Sequence, residues 1–330
     1  MTSAIDRAGR REDYAVCEAF MRRRGVLVYA MPRMLLPPGR RPYCDAIQAF
    51  TIHVDALIDD PRVPAADRVT RYAAYARDVL ALLDGDDPWD RPPGSREDAV
   101  GRRLARAFAH FTRVWEVPPG SVRQFLATMA SDAHVTEYAS FADLERYIRG
   151  SGVPYILWVN ALLGRRAHGS QAAGNGAVAA IFGLQLVDNL RDLEEDLAAG
   201  RLGLPLEDLR TFGLDRPALV RAVRERRPTG AVRELVRFEA DRALRYLEQA
   251  GTWWQSADPV VRELPRQYVR MTRYALRQAV GARHDRFPPS RRARLGWGAA
   301  LGGSLAFGCA RASARRLARP PARRSRPSPE

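Results

Sequence analysis

Asp188, Asp192 and Asp196 recur every four positions in the stretch QLVDNLRDLEEDLAAGRLGLP, residues 185–205. Four residues turn an α-helix by about 400°, so such a row drifts only ~40° per step while rising ~6 Å. The spacing predicts three carboxylates on one helix face with Glu195 beside them. Hard oxygens arranged this way suit Mg²⁺, which takes a few carboxylates together with substrate phosphate oxygens. A solvated surface helix with Arg191 and Arg201 as ordinary ion partners would show the same spacing. The approach to the row, NGAVAAIFGLQLV from Asn175 to Val187, is nearly all apolar or small and reads instead as a buried helix. Carboxylates at the end of such a helix are costly unless something cationic meets them.

A second acidic group lies far away in the chain. In CDAIQAFTIHVDALIDDP, Asp55 and Asp59 are again four apart at the end of an apolar helical run, followed by Asp60 and Pro61. If the two helices face one another, their Asp pairs could hold two or three Mg²⁺ ions around a diphosphate. Because both approaches are apolar, the partner expected of such a clamp is a diphosphate ester on a long hydrocarbon.

Elements able to position such groups are helical. Ala, Leu, Arg and Glu dominate residues 65–84, 97–115, 215–256 and 258–283, and strand signals are scarce. The turn-rich pieces at 85–95 and 117–121 read as connections between helices. No Gly/Ser linker and no repeat of fixed period divides the chain. The expectation is an all-α fold, with one helical domain over residues 1–287 and a basic Arg/Pro-rich tail over 288–330.

The sequence resembles the squalene/phytoene synthase family, the head-to-head prenyl diphosphate condensing enzymes. The resemblance runs in order through YAMPRMLLPPGRRPYCDAIQAF (Tyr29 to Phe50), the first Asp motif, FADLERYIRGSGVP (Phe141 to Pro154), LQLVDNLRDLEEDLAAGRLGLPLEDL and RQYVRMTRYALRQAV. Gln185, Arg191, Asp192, Glu195, Asp196, Arg201, Leu204 and Pro205 all fall at the family's spacing. The resemblance implies the isoprenoid synthase fold, a helical bundle around a central apolar cavity. It implies Mg²⁺ ligands at Asp55, Asp59, Asp192 and Asp196, with Asp188 able to join them. Arg191 and Arg201 match residues that meet diphosphate oxygens, a task suited to bidentate guanidinium geometry. Gln185 and Gly152 fall to substrate binding. Tyr147, just before the Gly150-Ser151-Gly152 break, matches a family Tyr near the reacting centre, although a packed core aromatic is an equal reading. Small residues at that break would let helices part around an allylic chain.

Departures from the family pattern cluster around the same places. Ile52 stands where the family has an Arg, Ala56 replaces the second acid of the first motif, and Gln48 replaces a Tyr. Asp188 replaces an Asn, Gly203 a Tyr, and Tyr155-Ile156 a Val-Gly pair. The chemistry implied is ionisation of an allylic prenyl diphosphate, geranylgeranyl or farnesyl, followed by capture of the cation by a second prenyl diphosphate to give a phytoene- or squalene-like hydrocarbon. One alternative keeps the ionisation and uses a single substrate, as in a terpene cyclase or a prenyl transfer to another acceptor. Another, from a different class, is a non-catalytic isoprenoid-binding partner subunit, against which the two intact Asp pairs argue.

Composition narrows the rest. All 53 basic residues are Arg, and the net charge is +15, of which the ten Arg and one acid between Pro288 and Glu330 supply +9. That tail lacks the interleaved aromatics or module expected of a nucleic-acid binder, so no nucleic-acid partner is expected. Its apolar piece, Leu295 to Ala310, would extend about 24 Å as a helix, short of a ~30 Å bilayer core. It reads as disordered or as lying at a membrane surface with Arg meeting anionic lipid. Cys17, Cys44 and Cys309 are odd in number and lack metal-ligand spacing, which fits a reducing cytoplasm without a zinc site. Of the five scattered His, His53 lies two residues before Asp55, with a structural role expected. The N-terminus shows no apolar export signal, and no Gly-rich dinucleotide motif supports a reductive step.

Overall fold

The computed structural model describes residues 4–280 apart from 25, 61, 90–91, 133–134 and 165–170. The tail from 288 onward lies outside these residues, with its apolar piece and Cys309, and so do His134, His168 and His284. The described chain is helical, and its one β-like feature is an isolated parallel bridge between Glu137 and Leu202.

The first half contains α1 (Ala4–Arg7), α2 (Arg11–Arg24), α3 (Val26–Leu35), α4 (Arg41–Asp59), α5 (Ala65–Asp84), α6 (Arg96–Val114) and α7 (Pro119–Asp132). The hub here is α4, packed on α2, α5, α6 and α7 and on residues 152–161 of the second half. Its apolar positions Ile47, Phe50, Val54, Leu57 and Ile58 recur at helical spacing and are buried. Phe50 stacks on Phe108 of α6 with centroids 3.9 Å apart and planes 5° from parallel, a contact worth about 1 kcal/mol beyond its buried area. Ser95 caps α6 by accepting from the Asp98 amide.

The second half runs through α8 (Phe141–Gly150), α9 (Gly152–Ala161), α10 (Gln171–Arg191), α11 (Leu193–Ala198), α12 (Leu206–Thr211), α13 (Arg216–Arg224), α14 (Gly230–Gln249), a 3-10 segment (Ala250–Ser256) and α15 (Glu263–Val280). Its hub is α10, which packs on α9, α14, α15 and the 3-10 segment. The buried character expected of Asn175 to Val187 is present: Ala177, Ala180, Phe182, Leu186 and Val187 are all inside. Two glycines set how near its neighbours come. A Cβ on Gly176 would lie 2.8 Å from Trp253 Cβ, and one on Gly183 would lie 2.6 Å from Leu247 Cδ2. Side chains there would force the helices apart.

Sequence expectations for 65–84 and 97–115 coincide with α5 and α6 to within a residue. The run 215–256 is instead cut at Pro228, where Arg226 takes a positive φ of 54° and Thr229 caps α14 through the Val232 amide. The Gly150-Ser151-Gly152 break works in the sense opposite to the one expected. A Cβ on Gly150 would overlap Thr128 of α7, and one on Gly152 would come 2.9 Å from Ile181 Cγ1 of α10. These small residues draw helices together, and Gly152 still lines a cavity.

Candidate active site

The two acidic motifs meet. Asp59 ends α4, Asp196 lies in α11, and the Arg201 guanidinium joins them with Nη1 3.1 Å from Asp59 and Nη2 3.3 Å from Asp196. Arg201 is set in place by the backbone around it. Its own amide donates to the Asp196 carbonyl at 2.7 Å, and the next amide, Leu202, donates to the Thr136 carbonyl at 2.8 Å within the isolated bridge. The loop after α7 thereby clamps the loop after α11.

The row of three aspartates is divided. An unbroken helix was expected through residue 196, but α10 stops at Arg191 and Asp192 adopts φ −97°, ψ 3° before α11 begins. At the break, Arg191 donates from Nε and Nη2 to the two Asp192 oxygens at 2.9 and 2.6 Å. Arg191 also approaches Asp188 at 2.7 Å, without the alignment of a hydrogen bond. Burial pushes the Asp188 carboxyl up to about 6, opposed by Arg191 and reinforced by Asp192 and Asp196. Burial also raises Asp196, against Arg201.

Two cavities open onto these groups. A polar one of about 160 Å³ is lined by Asp55, Asp59, Asp196, Arg201, Tyr138 and Asn189 among others. An apolar one of about 300 Å³ lies against Ile52, Phe125, Met129, Gly152, Tyr155 and Ile181. Asp55, Tyr147 and Gln185 line both, so they form the threshold between them. A charged mouth thus leads to an apolar chamber. Of the residues expected from the sequence, Asp55, Asp59, Asp196, Arg201, Tyr147, Gln185 and Gly152 come together here. Asp188, Asp192 and Arg191 form the neighbouring ion cluster, one helical turn back from Asp196, and line neither cavity.

Asn189 had drawn no attention in the sequence. Its Nδ2 donates to the Gly203 carbonyl at 2.8 Å, and its Oδ1 accepts from Gln185 Nε2 at 3.3 Å. It also accounts for one departure from the family, because a Cβ on Gly203 would lie 2.7 Å from Asn189 Cγ. No larger side chain fits at 203 while Asn189 points there. Gln48 and Tyr155, both departures, face each other in the apolar chamber. Burial pushes the Tyr155 hydroxyl up to about 12 against the opposing influence of Gln48, whose Oε1 is buried without a hydrogen-bond partner. His53 packs instead against α6: its ring is 5.0 Å from that of Tyr75 and fills the space beside Gly101.

Among the described residues, no three carboxylate, His or Cys side chains gather closely enough to cage a metal by themselves. Magnesium does not ask for that, since one or two carboxylates, waters and substrate phosphates complete its octahedron. The donors at the mouth are hard oxygens, and a single cationic group of this chain already spans Asp59 and Asp196. The residues therefore fit a divalent cation that shares its coordination with a substrate.

The squalene/phytoene synthase family model matches residues 28–298. This chain belongs to the squalene/phytoene synthase family. Among family relatives, it is 34% identical over 219 residues to the bifunctional protein CrtB/UppS of Streptomyces coelicolor, covering 65% of this chain but only 35% of that protein. It is 27% identical over 253 residues to the 15-cis-phytoene synthase of Synechocystis, covering 72% of this chain and 68% of the relative. Two solved structures share the fold. The squalene synthase HpnC of Alicyclobacillus acidocaldarius superposes with a TM-score of 0.71 at 21% identity over 86% of this chain and 97% of the other. A dehydrosqualene synthase in complex with ligand gives 0.70 at 19% identity over 91% and 99%. The squalene/phytoene synthase fold thus agrees with the all-α, cavity-centred bundle expected from the sequence.

Proposed function

We propose that this chain is a Mg²⁺-dependent prenyltransferase that ionises an allylic prenyl diphosphate, geranylgeranyl or farnesyl, and condenses two such substrates head to head into a phytoene- or squalene-like hydrocarbon. The observation that carries this reading is the junction of a charged mouth, where Asp59 and Asp196 converge on Arg201, with an apolar chamber across Asp55, Tyr147 and Gln185. Mg²⁺ held by Asp55 and Asp59 on one side and by Asp192 and Asp196 on the other would neutralise the departing diphosphate. Arg201 and Arg191 supply guanidinium groups that exchange carboxylate partners for diphosphate oxygens as charge develops there. Ile52, Phe125 and Ile181 give the chamber an apolar wall against which the hydrocarbon chain can lie. Tyr147 stands at the threshold, where its hydroxyl can orient the leaving group or take up a proton when the product forms.

A second reading uses one substrate, cyclised or transferred to another acceptor. Two observations favour it: Ile52 puts an apolar side chain in the chamber at the position of the family's Arg, and about 300 Å³ lies at the small end of the range for ligand sites. Incubation with Mg²⁺ and, separately, ten-, fifteen- and twenty-carbon allylic diphosphates decides between them. A hydrocarbon of doubled carbon number supports head-to-head condensation, and one of unchanged number establishes the cyclase. Absence of diphosphate release with every chain length would leave a binding partner subunit.

The setting proposed is cytoplasmic and membrane-peripheral, with the Arg-rich tail against anionic lipid and no nucleic-acid partner. No helix among the described residues is long and apolar enough to cross a membrane. An oily product released at a bilayer surface would partition directly into it. We also take residues 1–287 as the single catalytic domain.

A further inference from the structure

The last described helix has two unlike faces. At about 100° per residue, Arg266, Arg270, Arg273 and Arg277 of α15 fall within a strip roughly 60° wide. Leu264, Ala275 and Ala279 lie on the opposite side and are buried. Tyr268 shares that inner side, close enough to Tyr155 and Asp188 for their charges to bear on its hydroxyl. The helix therefore packs its inner side on α10 and α14 and turns its arginines outward.

The four arginines do not stand on a plain convex surface. With Trp254 of the 3-10 segment and Tyr274 they line a groove of about 410 Å³, and none of its lining residues is acidic. Among the described residues, Arg266 is the one of the four with an acidic partner, Glu263 at 3.1 Å, and its guanidinium lies 3.5 Å above the Trp254 ring. Arg273 donates through Nη2 to the Leu247 carbonyl at 3.0 Å, leaving a buried Nε without a hydrogen-bond partner. Arg270 and Arg277 are exposed and make no ion pair among the described residues. Like charges concentrated in a concave surface raise the local positive potential.

We propose that this groove docks the protein on the phosphate headgroups of an anionic phospholipid membrane. Guanidinium groups match phosphate oxygens, and amphipathic Trp and Tyr rings settle at headgroup level. The strip extends roughly 16 Å along the helix, several times the reach of one diphosphate, so it suits a row of headgroups better than a small anion. A nucleic acid would seek open aromatic faces for its bases, whereas the Trp254 face is already covered by Arg266. The sequence past Val280 continues in kind, with ten Arg against one acid from Pro288 and an apolar piece at Leu295 to Ala310. The proposal rests on the membrane-peripheral reading above and moves the principal contact from the tail to a folded surface.

The test is co-sedimentation of the full chain with phosphatidylcholine vesicles and with vesicles containing phosphatidylglycerol, across a salt series. Binding to the anionic vesicles alone, weakening with salt, is expected. Arg270→Ala with Arg277→Ala should weaken partition about thirtyfold, since each basic residue near an anionic surface is worth about 1 kcal/mol. An unchanged melting temperature and unchanged diphosphate release on a soluble short-chain substrate will show that the variant is folded. A second full-length variant carries Ala at Arg315, Arg316, Arg323, Arg324 and Arg326. If it loses binding while the groove variant binds like the parent, the groove proposal is overturned and the peripheral reading survives. Equal binding to neutral vesicles, displacement by millimolar inorganic phosphate, or tighter binding to a single-stranded oligonucleotide would each overturn the groove as a lipid site.

Discussion

Arg201 and Arg242 each stand between two carboxylates, and their surroundings differ at almost every point. Arg242 Nη1 and Nη2 reach both oxygens of Asp208 at 2.7 and 3.1 Å, and Nη1 also reaches both Glu239 oxygens at 3.0 and 2.9 Å. Phe141 and Phe238 cover the guanidinium at 4.1 and 4.6 Å, and its side chain is 11% exposed. Arg201 makes one longer contact to each of its two acids, and its side chain is 46% exposed. The first cluster is dry, multiply bonded and enclosed by aromatics, so removing any member strands a buried charge. The second sits in water where its contacts are weak, and its members can change partners at little cost. One joins α12 to α14 through many bonds, and the other bridges α4 and α11 through two weak contacts.

The largest expected contrast comes from removing one carboxylate from the acidic mouth and one from the ion cluster beside it. Asp192→Ala with Asp196→Ala should lower diphosphate release at least about a thousandfold, because the groups that stabilise the leaving charge are gone. The same variant should melt within a few degrees of the parent, its carboxylates being only half-buried. Turnover within tenfold of the parent would remove the metal-binding role from both residues. Arg242→Met should do the reverse, costing about 3–5 kcal/mol of stability by denaturant titration while the molecules that stay folded retain their rate. A smaller change sharpens the comparison within the mouth itself. Arg201→Lys keeps the charge but loses the fork that spans Asp59 and Asp196, and kcat should fall about tenfold with stability unchanged. If lysine turns over as fast as arginine, Arg201 acts as a point charge and the forked geometry is irrelevant.

The smallest effect concerns pH. In the closed cluster, burial and the neighbouring Asp208 raise the Glu239 carboxyl from 4.5 to about 8, against the pull of Arg242. Over that window the folded chain holds more protons than the unfolded chain, so stability should decline as pH rises from 4.5 to 8. Glu239→Gln removes the titrating group, and its melting temperature should vary less between pH 5 and pH 8 than that of the parent. An equal slope in both proteins would place the titration elsewhere.

Much of the scaffold could be read from residue order. Asp60 and Pro61 mark where α4 stops, and the Ala-rich run 65–84 gives both ends of α5, because tertiary packing and local propensity agree there. The meeting of Asp59 with Asp196 was legible as an acid pair at the end of each of two apolar helices. What stayed hidden depends on side chains choosing between partners. The break at Asp192 coincides with Arg191 pairing with its neighbour, and spacing alone carries no sign of that choice. The lack of room at Gly203 is fixed by where Asn189 points across the site. The arginine strip of α15 has regular four-three-four spacing, yet among 53 arginines it gives no separate signal until the facing Trp254 turns it into a groove.

Gly176 and Gly183 leave α10 no slack against Trp253 and Leu247, and this bears on how enzymes of this kind diverge. A cavity can be lengthened by retreating a wall or by trimming it, and the α10 wall has nowhere to retreat. The other lining side chains, Gln48, Phe125, Met129 and Tyr155, stand on α4, α7 and α9, where each can be exchanged singly without disturbing α10. Substitutions there would reshape the chamber while α10 keeps its seat, so the room inside and the frame around it can change independently.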